Sequence, residues 1–189
     1  MTPAELGAAL VAAAGEGARA SVSGGDAWAR ATVDVAPEQW LAAVRAARDQ
    51  LGCDLFDWLG AVDELDRGYS VVVHVWSTAQ RHGVLIRTLV GLDQPSLSSI
   101  VELYPGADWH EREAHEMFGI DFPGHPHLVP LLLPPGFEGY PLRKSFVLAS
   151  RVVKAWPGAK EPGESEAGGP GRRPPLRPPG VPAPHEWGD

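Results

Sequence analysis

Tyr69-Ser70-Val71-Val72-Val73-His74-Val75-Trp76 decides the fold. Nearly every residue in it is β-branched or aromatic, the composition of a strand. Asp66-Arg67-Gly68 just before it reads as a hairpin turn. Strand-like runs flank it at about 53–63 and 83–91, so three strands follow one another. His74 lies inside the central run and is read as a sheet residue, not a ligand. Cys53 opens an apolar run with Leu55, Phe56, Trp58 and Leu59, and reads as a small core residue.

Further out, residues 29–35 alternate like another strand. Residues 3–20 are alanine-rich and helix-prone, with Thr2 to cap and Pro3 at the first helical position. Gly15 and Gly17 weaken its second half. Pro37 starts a helix to about Leu51, in which Trp40, Leu41, Val44 and Ala47 share a buried stripe. A short helix is expected after Pro95, through Leu97, Ile100 and Val101, ended by Tyr104-Pro105-Gly106. The order α-β-α-β-β-β-α-α predicts an α+β domain over 1–155: a mainly antiparallel sheet with helices packed on one face.

From about Trp156 the composition changes. Residues 156–189 hold nine Pro and seven Gly, too many to propagate helix or sheet. The segment reads as an extended tail. Arg172, Arg173, Arg177 and Trp187 would be its handles if it docks on a partner.

The chain has 189 residues, 44% hydrophobic and 21% charged, and a net charge of −8. An acidic chain is unsuited to general nucleic-acid or anionic-membrane binding, which need excess Lys and Arg. One cysteine cannot by itself build a disulfide, an iron–sulfur cluster or a Cys-based zinc site. No basic and apolar leader opens the sequence, and no apolar run reaches membrane-spanning length. Any work at a membrane would go through partners.

The densest chemistry lies in Trp109-His110-Glu111-Arg112-Glu113-Ala114-His115-Glu116-Met117-Phe118-Gly119. Read as a helix from Asp108, it places Trp109, Ala114, Met117 and Phe118 on one broad face, with Glu113 inside it. Asp108, Arg112, His115 and Glu116 lie opposite, and Arg112 can pair with Asp108 or Glu116. A carboxylate on an apolar face needs a cation or a proton. Arg143 or Lys144 is the expected partner of Glu113, Arg143 foremost. Such a pair is either a catalytic acid or a tie between loop and helix; the tie is preferred.

A free-standing metal- or carboxylate-dependent enzyme using Glu113, His115 and His125 is the alternative. Zinc hydrolases carry His-Glu-x-x-His, so that both imidazoles share a helix face. Here His110 and His115 lie five apart, about 140° around a helix. His125-Pro126-His127 alone is a weak metal signal. No P-loop, nucleophile elbow or dinucleotide fingerprint is present. The loop Pro134-Pro135-Gly136-Phe137-Glu138-Gly139-Tyr140-Pro141 is rigid and aromatic, which suits docking.

Glu111-Arg112-Glu113, Glu116, Met117-Phe118-Gly119-Ile120, Phe122-x-Gly124-His125-Pro126 and Glu138-Gly139-x-Pro141-Leu142-Arg143-Lys144 form a long ordered motif. Cys53-Asp54 to Asp63 and Tyr104-Pro105-Gly106-Ala107-Asp108-Trp109 extend it. Over about residues 35–150 the chain resembles the C subunit of proton-translocating NADH:quinone oxidoreductase, respiratory complex I. Related subunits occur in membrane-bound hydrogenases and F420H2 dehydrogenases. The resemblance implies a peripheral-arm subunit without a cofactor of its own, at the cytoplasmic face of the membrane. Its partners would be the D, B and I subunits, in a complex whose other members carry iron–sulfur clusters and FMN. The motif residues named, with Pro141 and Leu142 beside Arg143 and Lys144, would be structural or interfacial. The chain departs from the family pattern at Glu116, usually Asp, and at His127, Val129 and Pro130, where an acid and an Arg pair are usual. It departs also at Tyr140, often His, and at Ser145, usually Asp.

Overall fold

The computed structural model describes residues 1–25 and 28–147; the tail expected at 156–189 lies outside them. Tyr69–Ser77 forms β4, second from one edge of a five-stranded sheet ordered β1-β2-β5-β4-β3. The others are β1 (Arg19–Ser23), β2 (Arg30–Asp34), β3 (Leu55–Asp63) and β5 (His82–Val90). Three neighbouring pairs are antiparallel, and β2 runs parallel to β5. Register sets the core face: Leu59 lies opposite Val73, Val73 opposite Ile86, and Ile86 opposite Val33. These residues are buried together with Leu6 and Leu10 of helix α1 (Pro3–Ala14) and Trp40 and Val44 of α2 (Trp40–Asp49). Ala107, Ala114 and Phe118 of α3 (Ala107–Phe118) join the same core. The architecture is the expected α+β layer pair, mainly antiparallel sheet under helices.

Two expectations are corrected, and one strand is added. The first helix stops at Ala14, not near residue 20, because Gly15 and Gly17 both take positive φ. The chain then forms β1, whose register is supplied by β2 and by a 2.7 Å hydroxyl bond between Ser23 and Thr32. The segment after Pro95 is not helical. Leu97 N–H donates to the Asp121 carbonyl and Ser99 N–H to the Pro123 carbonyl, so it runs extended beside residues 121–123. The Asp66-Arg67-Gly68 turn is present, as a short 3-10 turn ending at Gly68. At Gly68 φ is +118°, and any Cβ would collide with the Val90 carbonyl.

Candidate subunit interface

Gly119 ends α3 in the left-handed conformation, its N–H donated to the His115 carbonyl. Ala107, Glu111, Ala114 and Phe118 recur at steps of four, three and four and form the buried stripe. The two alanines let the helix lie close to β3. Of the face expected to be buried, Ala114 and Phe118 are buried and Met117 packs partly against the core, whereas Trp109 is 69% exposed and Glu113 is exposed. The expected Glu113–Arg143 tie does not form. Among the described residues Glu113 makes no ion pair, and Arg143 is engaged elsewhere.

The buried carboxylates of α3 are Glu111 and Glu116. Glu111 accepts the Ser99 hydroxyl at 2.6 Å and the Ile100 N–H at 2.7 Å, tying α3 to the extended 95–104 segment. Burial pushes its pKa up to about 7, against those two bonds, which lower it. Glu116 lies on the opposite side of α3. Its oxygens accept the N–H groups of Leu131, Leu132 and Leu133 at 3.0, 2.7 and 3.2 Å. One turn earlier, Arg112 donates to the Val129 and Pro130 carbonyls, both at 2.9 Å. Arg112 also lies 3.9 Å from Asp108, the expected spacing-four pair. The expected Arg112–Glu116 pair gives way to loop backbone on both sides.

The histidines are occupied as brackets. His110 Nδ1 donates to the Leu59 carbonyl at 3.0 Å, covering the outer edge of β3. His115 Nδ1 donates to the Ile120 carbonyl at 2.8 Å. His125, whose side chain is fully buried, donates through Nε2 to the Asp108 carbonyl and accepts the His127 N–H through Nδ1. Gly124, at φ +90°, bends the chain into this bracket, and Pro126 separates its two histidines. Among the described residues no three His, Cys, Asp or Glu side chains converge on a metal-sized site. The trio Glu113, His115 and His125 is not assembled. Cys53 is buried, and burial raises its thiol to about 11.

Arg143 locks the end of the motif. Its Nε donates to the Phe118 carbonyl at 2.7 Å, and its guanidinium lies 4.0 Å from the Tyr140 ring and 5.3 Å from the Tyr69 ring. A Cβ on Gly119 would stand 2.5 Å from Arg143 Nη2 and 2.6 Å from the Tyr140 ring, so glycine is required twice over. Beside Pro141, Leu142 N–H donates to the Met117 carbonyl, and Lys144 N–H to Asp63 at 2.8 Å. That bond, with the one from Leu65 N–H, holds the Asp63 carboxyl below its ordinary value.

Two side chains of this bracket carried no sequence signal: Ser99 lies in the segment expected to be helical, and Tyr69 reads as core alone. Asp63 ends a stretch of the motif and, as an acid directly before a turn, could have been flagged.

The result is a loop, 128–147, without regular secondary structure, braced at both ends and in the middle. It exposes seven apolar side chains, Val129, Leu131, Leu132, Phe137, Tyr140, Leu142 and Val147. No helix among the described residues is long and apolar enough to cross a membrane.

Fold and site together define a small α+β domain whose charged groups are used to brace an apolar loop. Residues 33–152 match the family described as respiratory-chain NADH dehydrogenase, 30 Kd subunit, and the chain belongs to that family. It is 41% identical over 126 residues to the NADH-quinone oxidoreductase C subunit of Roseiflexus castenholzii, covering 65% of this chain and 72% of that one. It is 39% identical over 125 residues to the corresponding C subunit of Sinorhizobium medicae, covering 64% and 62%. The NADH-quinone oxidoreductase C/D subunit of Pseudomonas fluorescens is 42% identical over 78 residues, 41% of this chain and 13% of that longer one. Among solved structures, a trypsin-resistant fragment of Nqo5 has the same fold, with TM-score 0.50 at 22% identity over 58% of this chain and 89% of that one. A chain of an archaeal membrane-bound sulfane sulfur reductase shares it too, with TM-score 0.60 at 21% identity over 76% and 88%.

Proposed function

We propose that this chain is a structural and assembly subunit in the peripheral arm of an NADH:quinone oxidoreductase. It supports electron transfer from NADH to quinone, coupled to proton translocation, without a redox centre of its own. The braced loop carries this reading: an apolar surface on a pre-ordered backbone suits docking, because little ordering entropy is left to lose. The D subunit is the first expected neighbour. The Pseudomonas fluorescens relative, whose name joins C and D, supports that choice. The B and I subunits follow from the family resemblance, as do iron–sulfur clusters and FMN in the partners. Membrane association, at the cytoplasmic face, runs through those partners. Glu111, Arg112, Glu116, Phe118, Gly119, Gly124, His125, Pro126, Pro141, Arg143 and Lys144 act as structural supports of the docking surface, and Glu113 and Leu142 lie exposed on it.

Tagged full-length chain, purified from its own membranes in mild detergent, tests this reading. The expected result is a complex with NADH:quinone activity and iron–sulfur absorbance. The chain purified alone is expected to be colourless and inactive with NADH and quinone. Turnover by the isolated chain, or its purification free of other subunits, refutes the proposal. A hydrogenase or F420H2 dehydrogenase partner set would move it to a related complex.

A further inference from the structure

Helices α1, α2 and α3 join one core, on the sheet face that carries Val33, Leu59, Val73 and Ile86. The other face is left without a helical layer. Side chains alternate along a strand, so register gives the rows of that open face. Leu55 lies opposite Trp76, Trp58 opposite His74, and His74 opposite Leu85. Val62 lies opposite Ser70, and Ser70 opposite Leu89. Leu55, Trp58, Val62 and Leu89 are exposed. An antiparallel sheet with one face in water is apolar inside and polar outside. Here β3, β4 and β5 are largely apolar on both faces, the pattern of a sheet covered on both sides. The imidazole in these rows, His74, is met by Asp57 at 2.8 Å, and its Nε2 is buried beside Gly83.

At the end of the rows lies a hollow of about 380 Å³, lined by Arg19, Asp34, Glu64, Arg67, Ser70 and Arg87 among others. Leu89 also lines it, so hollow and apolar rows are continuous. Three guanidiniums meet two carboxylates there. Arg87 is committed to Asp34, through Nε at 2.7 Å and Nη2 at 2.9 Å. Glu64 stands 3.8 Å from Arg67. Arg19 makes no ion pair among the described residues. In a chain of net charge −8, three cations against two acids leave this hollow one positive charge in excess.

The group that completes the hollow is an anion, and the surface around it is apolar. A free inorganic anion fills the first requirement and leaves Leu55, Trp58 and Val62 in water. An anionic membrane needs a strongly basic surface, which one excess charge on an acidic chain does not provide. An apolar protein surface bearing a carboxylate meets both requirements.

We infer that a neighbouring subunit covers the open face of the sheet, laying apolar side chains on these rows and seating one Asp or Glu in the hollow against Arg19. The inference rests on the reading of the chain as a subunit, and it adds a second contact surface on the sheet face opposite α3.

Tagged full-length chain is prepared alone and as the complex from its own membranes, and both are treated with hydroxyl radicals. Trp58 should oxidise in the chain alone and lose that reactivity in the complex. Val62→Asp and Arg19→Glu change exposed side chains, so the isolated variants should unfold in urea near the parent midpoint. Each should lower the yield of complex about fivefold or more. Arg19→Lys keeps the charge and should lose less than Arg19→Glu. Val22→Asp is the control: Val22 is also exposed, but it pairs with buried Ala31 on the helix side of the sheet, and its variant should assemble like the parent. Equal Trp58 reactivity in both preparations, parent yield from Val62→Asp, or an equal loss from Val22→Asp overturns the covered face. Parent yield from Arg19→Glu, or a loss that Arg19→Lys matches, overturns the seated carboxylate. Binding of the isolated chain to phosphatidylglycerol vesicles that Arg19→Glu abolishes would assign the face to lipid and overturn the inference. The footprint needs no variant, so it decides even where a variant fails to fold. A parent chain that assembles with no other subunit refutes the subunit reading itself; a complex in which Trp58 stays reactive refutes the covered face alone.

Discussion

Replacing Glu111 by Gln removes one buried charge and leaves each contact of the side chain in place. The Gln carbonyl can accept the Ile100 N–H where Oε1 does now, and its amide can donate to Ser99 Oγ in place of Oε2. The difference between the two chains is therefore mainly the cost of ionising Glu111. Burial raises its pKa from 4.5 to about 7. Between those values the folded chain holds a proton that the unfolded chain has released. Stability from this group is complete below about pH 4.5, declines as pH rises, and is gone above about pH 7. At 1.36 kcal/mol per pKa unit, the full difference is about 3 kcal/mol. Urea unfolding of the isolated full-length chain and of Glu111→Gln at pH 5, 6, 7 and 8 measures it. The variant should lead by just under about 1 kcal/mol at pH 5 and by about 3 kcal/mol at pH 8. A difference that does not change with pH, or that grows toward acid, refutes the reasoning.

Three further outcomes are expected. Glu116→Gln leaves three loop N–H groups with a poorer acceptor; amide exchange at Leu131, Leu132 and Leu133 should quicken markedly, while β4 and β5 amides stay protected. Gly119→Ala forces a side chain into φ +73° and against Arg143 and Tyr140, and should cost about 2 kcal/mol or more in thermal or urea unfolding. Removing residues 160–189 should leave the folded domain's unfolding midpoint unchanged but reduce the yield of assembled complex; full assembly and activity without them would show the tail to be only a solvated end.

The sheet was legible in the sequence because its information is local. Valine at 71, 73 and 75 alternates with residues that face away from the core, and the turn at 66–68 fixes where β4 begins. The helix span was legible for the same reason, with Gly119 as its stop. The buried side of α3 was legible only in part. Counting apolar residues chose Ala114 and Phe118 correctly, but it also chose Trp109, and the chain instead buries Glu111 and Glu116. Their compensation comes from backbone N–H groups at 100 and at 131–133. Every residue except proline has such a group, so a sequence pattern cannot mark which ones will be supplied. β1 was missed on similar grounds: Arg19–Ser23 has no strand pattern of its own, and its order comes from pairing with β2.

Density of ionisable side chains is commonly taken as the mark of a reaction centre, and here it has a different physical basis. A reaction centre needs groups with unused valence, positioned to accept or release a proton. In α3, the exposed Glu113 apart, these groups are spent on holding chain. Glu111 and Glu116 accept five bonds between them, Arg112 gives two to loop carbonyls, and His110, His115 and His125 each hold a carbonyl. Nearly all of these bonds end on the main chain of a segment without regular structure, or on the edge of β3. Such segments cannot satisfy their own backbone, and in water they would remain mobile. A helix studded with acids, one arginine and imidazoles supplies acceptors and donors of both kinds at fixed spacing. The charge density of residues 110–116 thus follows from the need to hold irregular chain still on two sides of one helix. What is left over on that surface, seven apolar side chains between Val129 and Val147, is what a neighbouring subunit would meet.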